Sequence, residues 1–145
     1  MALDSDRLLG MTSAELDQLF GQSPAGPVPR GRARGTVLFL PGSRLARPVA
    51  GVARALLWQG KVFDPDRRGL RNLISPLSVP SVRADVYPEA SWVDARPCIV
   101  LDYSRTSHVA HWIRDEIREV APGLYLGVVF WGRRQILKFS LAFAT

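Results

Sequence analysis

The amino-acid sequence predicts a mainly β chain whose antiparallel strands close into a barrel, with two short helices towards the N-terminus. Three observations point there. In residues 135–143, Leu137, Phe139, Leu141 and Phe143 share one parity while Lys138 and Ser140 share the other, the alternation of a strand with one buried face. Residues 98–104 and 124–131 are apolar runs rich in β-branched and aromatic residues. They are set off by the polar Arg105-Thr106-Ser107, by Pro122-Gly123 and by Gly132-Arg133-Arg134. The two segments that read as helices, with their apolar residues at helical spacing, lie in the first half of the chain. Strands with an apolar face must bury it on a helix or on one another, and closure also removes exposed edges. A barrel of this size encloses a cavity or is filled by its own side chains.

Taken in order, Thr12-Ser13-Ala14-Glu15 is a capping box, a hydroxyl followed three residues later by a glutamate. It predicts a helix over 13–20 with Leu16, Leu19 and Phe20 on its apolar side, stopped by Gly21. Residues 21–30 are too rich in proline and glycine for a regular element. They divide an N-terminal segment, 1–30, from a single barrel domain, 31–145. A first strand is expected over 35–40, ended by Pro41-Gly42. Ser43 caps a second helix that Pro48 lets begin only near Arg47; Val49, Val52, Ala53, Leu56 and Leu57 then recur at helical spacing through Trp58. Strands follow over 70–77 and 79–87, interrupted by Pro76 and Pro80, with a hairpin around 88–90 that takes in Trp92-Val93. Residues 108–120 are ambiguous. Val109, Ile113 and Ile117 suit a helix, while alternation from Ile113 onward suits a strand. The surrounding strands favour a strand from about Trp112.

The bulk composition bounds the partners. A chain of 145 residues, 47% hydrophobic and 22% charged, is one globular domain able to bury roughly 70% of its unfolded surface. Its start, Met1-Ala-Leu-Asp-Ser-Asp-Arg7, has no apolar core of a secretory signal, and no run approaches the ~18 apolar residues of a spanning helix. With a single cysteine, Cys98, a cytoplasmic location is expected, and Cys98 reads as a small buried hydrophobe before a nucleophile. The net charge of +6 is nearly all arginine. The arginines are scattered, however, with one dense cluster at Arg30, Arg32 and Arg34, and no recognised nucleic-acid motif accompanies them. Nucleic acid is therefore disfavoured as a partner.

The order of helix, proline-rich linker, Gly31-Arg-Ala-Arg-Gly35, helix, Trp58-Gln-Gly-Lys-Val-Phe63, then Tyr103-Ser-Arg105 and Leu126-Gly127 resembles bacterial proteins with a GXWXG motif. The resemblance covers most of the chain from Glu15 on. It implies an antiparallel calycin-like (lipocalin-like) β-barrel, most members having no assigned function. The motif's tryptophan matches Ala33 here. In calycin barrels that tryptophan packs across the floor, so its loss implies a repacked floor, with Trp58 or Trp112 as filler. The relatives' Tyr-Asp-Arg reads Tyr103-Ser104-Arg105, leaving Asp102 as the nearest carboxylate.

Two groups of residues carry candidate chemistry. Asp102, Tyr103, His111, Arg114 and Asp115, with Arg105 and Glu116 nearby, form the densest polar group in strand-forming sequence. Any carboxylate among them that faced the lumen would be shifted in pKa or forced into an ion pair, as proton transfer requires. The competing reading is an outward-facing ladder of Arg114, Glu116 and Arg118. Trp58, Tyr87, Tyr103, Trp112, Tyr125 and Phe139, joined by Trp92 and Trp131, would line a pocket for a flat or apolar molecule or serve as core filler. His108 and His111, three apart, would supply two metal ligands, but no third lies at motif spacing, so neither metal nor cofactor is expected. The expected function is binding of an apolar or aromatic small molecule. The alternative is an isomerase or cyclase on the same barrel using acid–base chemistry. No membrane partner is expected, and a homodimer stays open.

Overall fold

The computed structural model describes residues 3–39, 58–64, 69–74, 83–104 and 111–143. Two helices precede eight strands. Helix α1 (Ser5–Leu9) is capped by Asp4, whose carboxylate accepts from the Arg7 amide at 2.9 Å. Helix α2 (Ser13–Gln22) has the expected capping box: Glu15 N–H donates to the Thr12 hydroxyl at 3.1 Å, and Thr12 N–H donates to the Glu15 carboxylate at 2.8 Å. The strands are β1 (Gly31–Phe39), β2 (Trp58–Asp64), β3 (Gly69–Ile74), β4 (Arg83–Ala90), β5 (Pro97–Asp102), β6 (Ile113–Ala121), β7 (Leu124–Trp131) and β8 (Arg134–Phe143). Each pairs antiparallel with the next, and β1 pairs with both β2 and β8, so the sheet closes into a barrel.

Several expectations are corrected. Helix α1 was not anticipated. The expected helix over 47–58 falls on residues outside those described, except Trp58, which opens β2 by pairing with Ile74. The hairpin turn lies at 91–96, not 88–90, because β4 runs through Pro88. Among the described residues its pairs with β3 reach only Asp85, and Pro88 pairs with Ile99 of β5. The ambiguous segment is a strand from Ile113, since two partners, β5 and β7, complete its ladder.

Alternation along these strands separates two cores. Inside the barrel lie Ile99 and Leu101 of β5, Ile117 of β6, Tyr125 of β7, and Phe139 and Leu141 of β8. Outside it, Leu8 of α1 and Leu16 and Phe20 of α2 cover Leu124, Leu126, Val128 and Phe130 of β7. Strand β7 is thus buried on both faces from Leu124 to Phe130. The parity expected for β8 holds, with one difference. Lys138 and Ser140 point away from the lumen yet are buried under the helices, Lys138 donating to Ser13 at 3.0 Å and pairing with Asp17 at 3.2 Å.

One end of the barrel has a floor. The chain between α2 and β1 crosses it: Glu119 N–H donates to Ala25 O at 3.3 Å, and the Tyr125 hydroxyl donates to Pro27 O at 2.6 Å. Gly26 (φ +76°) sits against Glu119, where a Cβ would collide with the glutamate's own. Above it, Ala33 is buried opposite Phe143, whose ring lies 5.6 Å from those of Phe63 and Tyr125. Three aromatics, Phe63, Tyr125 and Phe143, therefore pack around Ala33, where Trp58 or Trp112 was expected as filler. Trp112 is not among them, being 58% exposed at the far end; the Trp58 side chain lies outside those described.

Candidate functional site

The dense polar group read from the sequence is divided by the barrel wall, because successive residues of a strand face opposite sides. Tyr103 and Asp115 point inward. Asp115 stands opposite Leu101 on β5 and Val129 on β7, both lumen residues. Both polar side chains are almost wholly buried, at 3% exposure each, and the Tyr103 hydroxyl is 3.4 Å from Asp115 Oδ2. Below them, Phe139 fills the middle of the barrel. It lies opposite Gly127, where any Cβ would overlap its ring. Tyr125 closes the lower end. Its phenol is pushed up to about 12 by burial, with the Glu119 charge adding to it. Among the described residues the lumen is lined mainly by aromatic and aliphatic side chains, with a hydroxyl and a carboxylate set together near its upper part.

Asp102, Arg114 and Tyr87 face the other way. The Tyr87 hydroxyl donates to Asp102 Oδ2 at 2.7 Å, and burial together with this bond to a carboxylate raises the phenol's pKa. Burial works against the ionised form of Asp102, but bonds from Ser104 and Tyr87 outweigh it and hold the carboxyl below its ordinary value. Arg114 bonds Glu89 at 2.9 Å and Glu116 at 2.9 Å; these bonds overcome the burial penalty and raise its pKa. The catalytic group expected from the sequence is corrected accordingly: Asp102 and Arg114 cannot share a lumen site with Tyr103 and Asp115. His111 is exposed in the turn before β6, its ring 4.4 Å from that of Trp112. Of the expected pocket lining, Tyr103, Tyr125 and Phe139 are inside, whereas Tyr87 and Trp112 are not. His108 lies outside the described residues.

The outward ladder of Arg114, Glu116 and Arg118 is present, but it is roofed rather than solvated. Residues 91–96 fold back over β6, and Glu116 accepts from the Ser91 hydroxyl at 2.6 Å and from Trp92 N–H at 2.7 Å. Arg118, fully buried, forks onto both oxygens of Asp94 at 2.7 Å and reaches the carbonyls of Phe20, Arg96 and Pro97. These residues hold structure, and no sequence motif marks them; Asp94 two residues after Trp92 is visible only once the turn is placed. Cys98 is buried on the same wall. Burial first, then the Glu116 charge, pushes its thiol up to about 12, far from a thiolate nucleophile. Among the described residues, no three His, Cys, Asp or Glu side chains group as metal ligands, and no helix is long and apolar enough to cross a membrane.

No family model matches the chain, and no curated protein matches it. A solved structure does: a crystal structure of a protein from Thermomonospora curvata, at a TM-score of 0.68 and 22% identity, covering 93% of this chain and 89% of that one. At that identity the likeness is one of fold.

Proposed function

We propose that the barrel binds an apolar or aromatic small molecule in its lumen. One observation carries this reading: Tyr103 and Asp115, both buried, face inward among aliphatic and aromatic side chains. Polar groups are costly to bury in such surroundings. A lumen that keeps them has a way to orient a mostly apolar ligand through a polar end. Eight strands suit the capture of one small molecule, and the segment across the floor suits entry from the opposite end. The arrangement agrees with a calycin-like barrel of the GXWXG type with an aromatic floor in place of the motif's tryptophan.

A second reading rests on the same pair. A tyrosine hydroxyl beside a carboxylate in a dry site is what acid–base chemistry on an apolar metabolite uses, as in an isomerase or cyclase. Native mass spectrometry of protein purified gently from its own cells tests the first reading: a stoichiometric added mass is expected, and a bare 16.0 kDa species in every extract tried would overturn it. Asp115→Asn and Tyr103→Phe then separate the two readings. A carrier keeps the added mass with modestly weaker retention, while an enzyme retains substrate and loses turnover by about a hundredfold or more.

A further inference from the structure

The barrel end opposite the floor carries an unusual group of exposed side chains. Strand β6 begins there and the β7–β8 turn lies beside it, joined by a 2.9 Å bond from Gly132 N–H to Trp112 O. Trp112 and Trp131 are 58% and 53% exposed, although each offers a large apolar area that folding ordinarily hides. His111, Arg133 and Arg134 surround them, all exposed, and no acidic residue occurs in 111–113 or 131–135. Trp92, 37% exposed, continues the patch down the outer wall against Phe130.

We propose that this end of the barrel docks on an anionic membrane surface, with Trp112 and Trp131 seated at headgroup depth and Arg133 and Arg134 against the lipid phosphates. Tryptophan prefers that depth because its ring is apolar while its N–H needs a polar partner. Arginines at an anionic leaflet add attraction residue by residue. The absence of a spanning segment is no obstacle, since surface docking needs only the rim. Exposed tryptophan beside arginine would also suit a single-stranded nucleic acid, with bases stacked on the rings. The ring faces argue against that. The Trp92 ring is already occupied: the Arg114 and Arg133 guanidinium carbons lie 4.2 Å and 4.1 Å from its centre, and the Phe130 ring packs against it at 5.3 Å. The His111 ring already stands 4.4 Å from that of Trp112. A base requires an open face, whereas a lipid interface accepts an edge.

The inference extends the lumen reading, because an apolar ligand partitions into lipid, but docking is measured on the protein without added ligand. Co-sedimentation with phosphatidylcholine vesicles containing phosphatidylserine is expected to capture the protein, and phosphatidylcholine alone to capture much less. Arg134→Ser is expected to weaken capture about fivefold, the factor equivalent to ~1 kcal/mol per cationic residue at such a surface. The double variant Trp112→Ser/Trp131→Ser is expected to weaken it by on the order of tenfold or more. Brominated lipid is expected to quench tryptophan fluorescence of the unaltered protein, a measurement that needs no variant. Failure to bind either vesicle, equal binding to both, or no quenching overturns the proposal. So does salt-sensitive capture of an oligothymidylate in place of vesicles, which assigns the patch to nucleic acid. A ligand mass found without docking, or docking without a ligand mass, tells the two proposals apart.

Discussion

At the scale of single residues, the lumen is defined by one glycine and one tyrosine as much as by its large side chains. Gly127 leaves the space that the Phe139 ring occupies. Gly127→Ala is expected to destabilise the fold by about 1–3 kcal/mol, the usual cost of overpacking, measured by urea denaturation. Adding Phe139→Leu to it should recover part of that loss, and simple additivity of the two would refute the contact. Tyr125 links stability to alkaline pH. Its folded pKa of about 12 lies above the ordinary 10.0, so its contribution is intact below about pH 10 and declines as pH rises towards 12. Tyr125→Phe should flatten that decline and, by losing the bond to Pro27, cost about 1 kcal/mol at neutral pH. Phenolate absorbance against pH, followed alongside the unfolding midpoint, checks both. Little of this was legible in the sequence. Leu126-Gly127 can be seen in a strand pattern, but which ring fills the gap depends on the register between β7 and β8.

At the scale of elements, the segment 91–96 shows what the sequence concealed. A one-residue choice of parity decides which of Asp102, Tyr103, Arg114 and Asp115 meet, and adjacent residues in a chain say nothing about it. The strands β7 and β8 were legible because breakers flank an apolar run and a clean alternation. Strand β6 fits a helical spacing equally well and was legible only from its neighbours. The turn after β4 was not, because Pro88 imitates a hairpin. Arg118 holds that turn, and its five hydrogen bonds need a planar fork. Arg118→Met is expected to cost roughly 3–5 kcal/mol by removing the buried cation that pairs with Asp94 and bonds three carbonyls, and Arg118→Lys should restore only a minor part. Thermal unfolding of both variants decides the matter. The bond from Arg118 also holds Asp94 well below the usual carboxylate range. Its stabilisation is therefore present above about pH 4 and lost as the pH falls further. Asp94→Asn should lower stability at neutral pH and shrink the acid-induced loss; an unchanged acid limb would show that another carboxylate governs it.

For the whole molecule, the barrel was legible in kind, from alternation and breakers, while its inner and outer faces were not. Scattered polar residues became two separate sets only when the wall was built between them. Helix α2 was visible from its capping box, but its place on β7 was not, because its apolar stripe names no partner. Leu16→Ala should cost about 2–5 kcal/mol, as much as a lumen truncation such as Leu141→Ala, if the outer core matters as the packing implies; a loss well under 1 kcal/mol would make α2 an ornament of the barrel. The seat of α2 has a consequence for synthesis. Lys138 reaches Ser13, Ser140 lies 3.4 Å from Ser5, and the cover of Leu124 to Phe130 comes from residues made more than a hundred positions earlier. The helical segment is thus translated about a hundred residues ahead of the surface that covers it. Until β7 and β8 emerge, Leu8, Leu16 and Phe20 have nowhere native to go, and the nascent chain carries them uncovered across that whole interval.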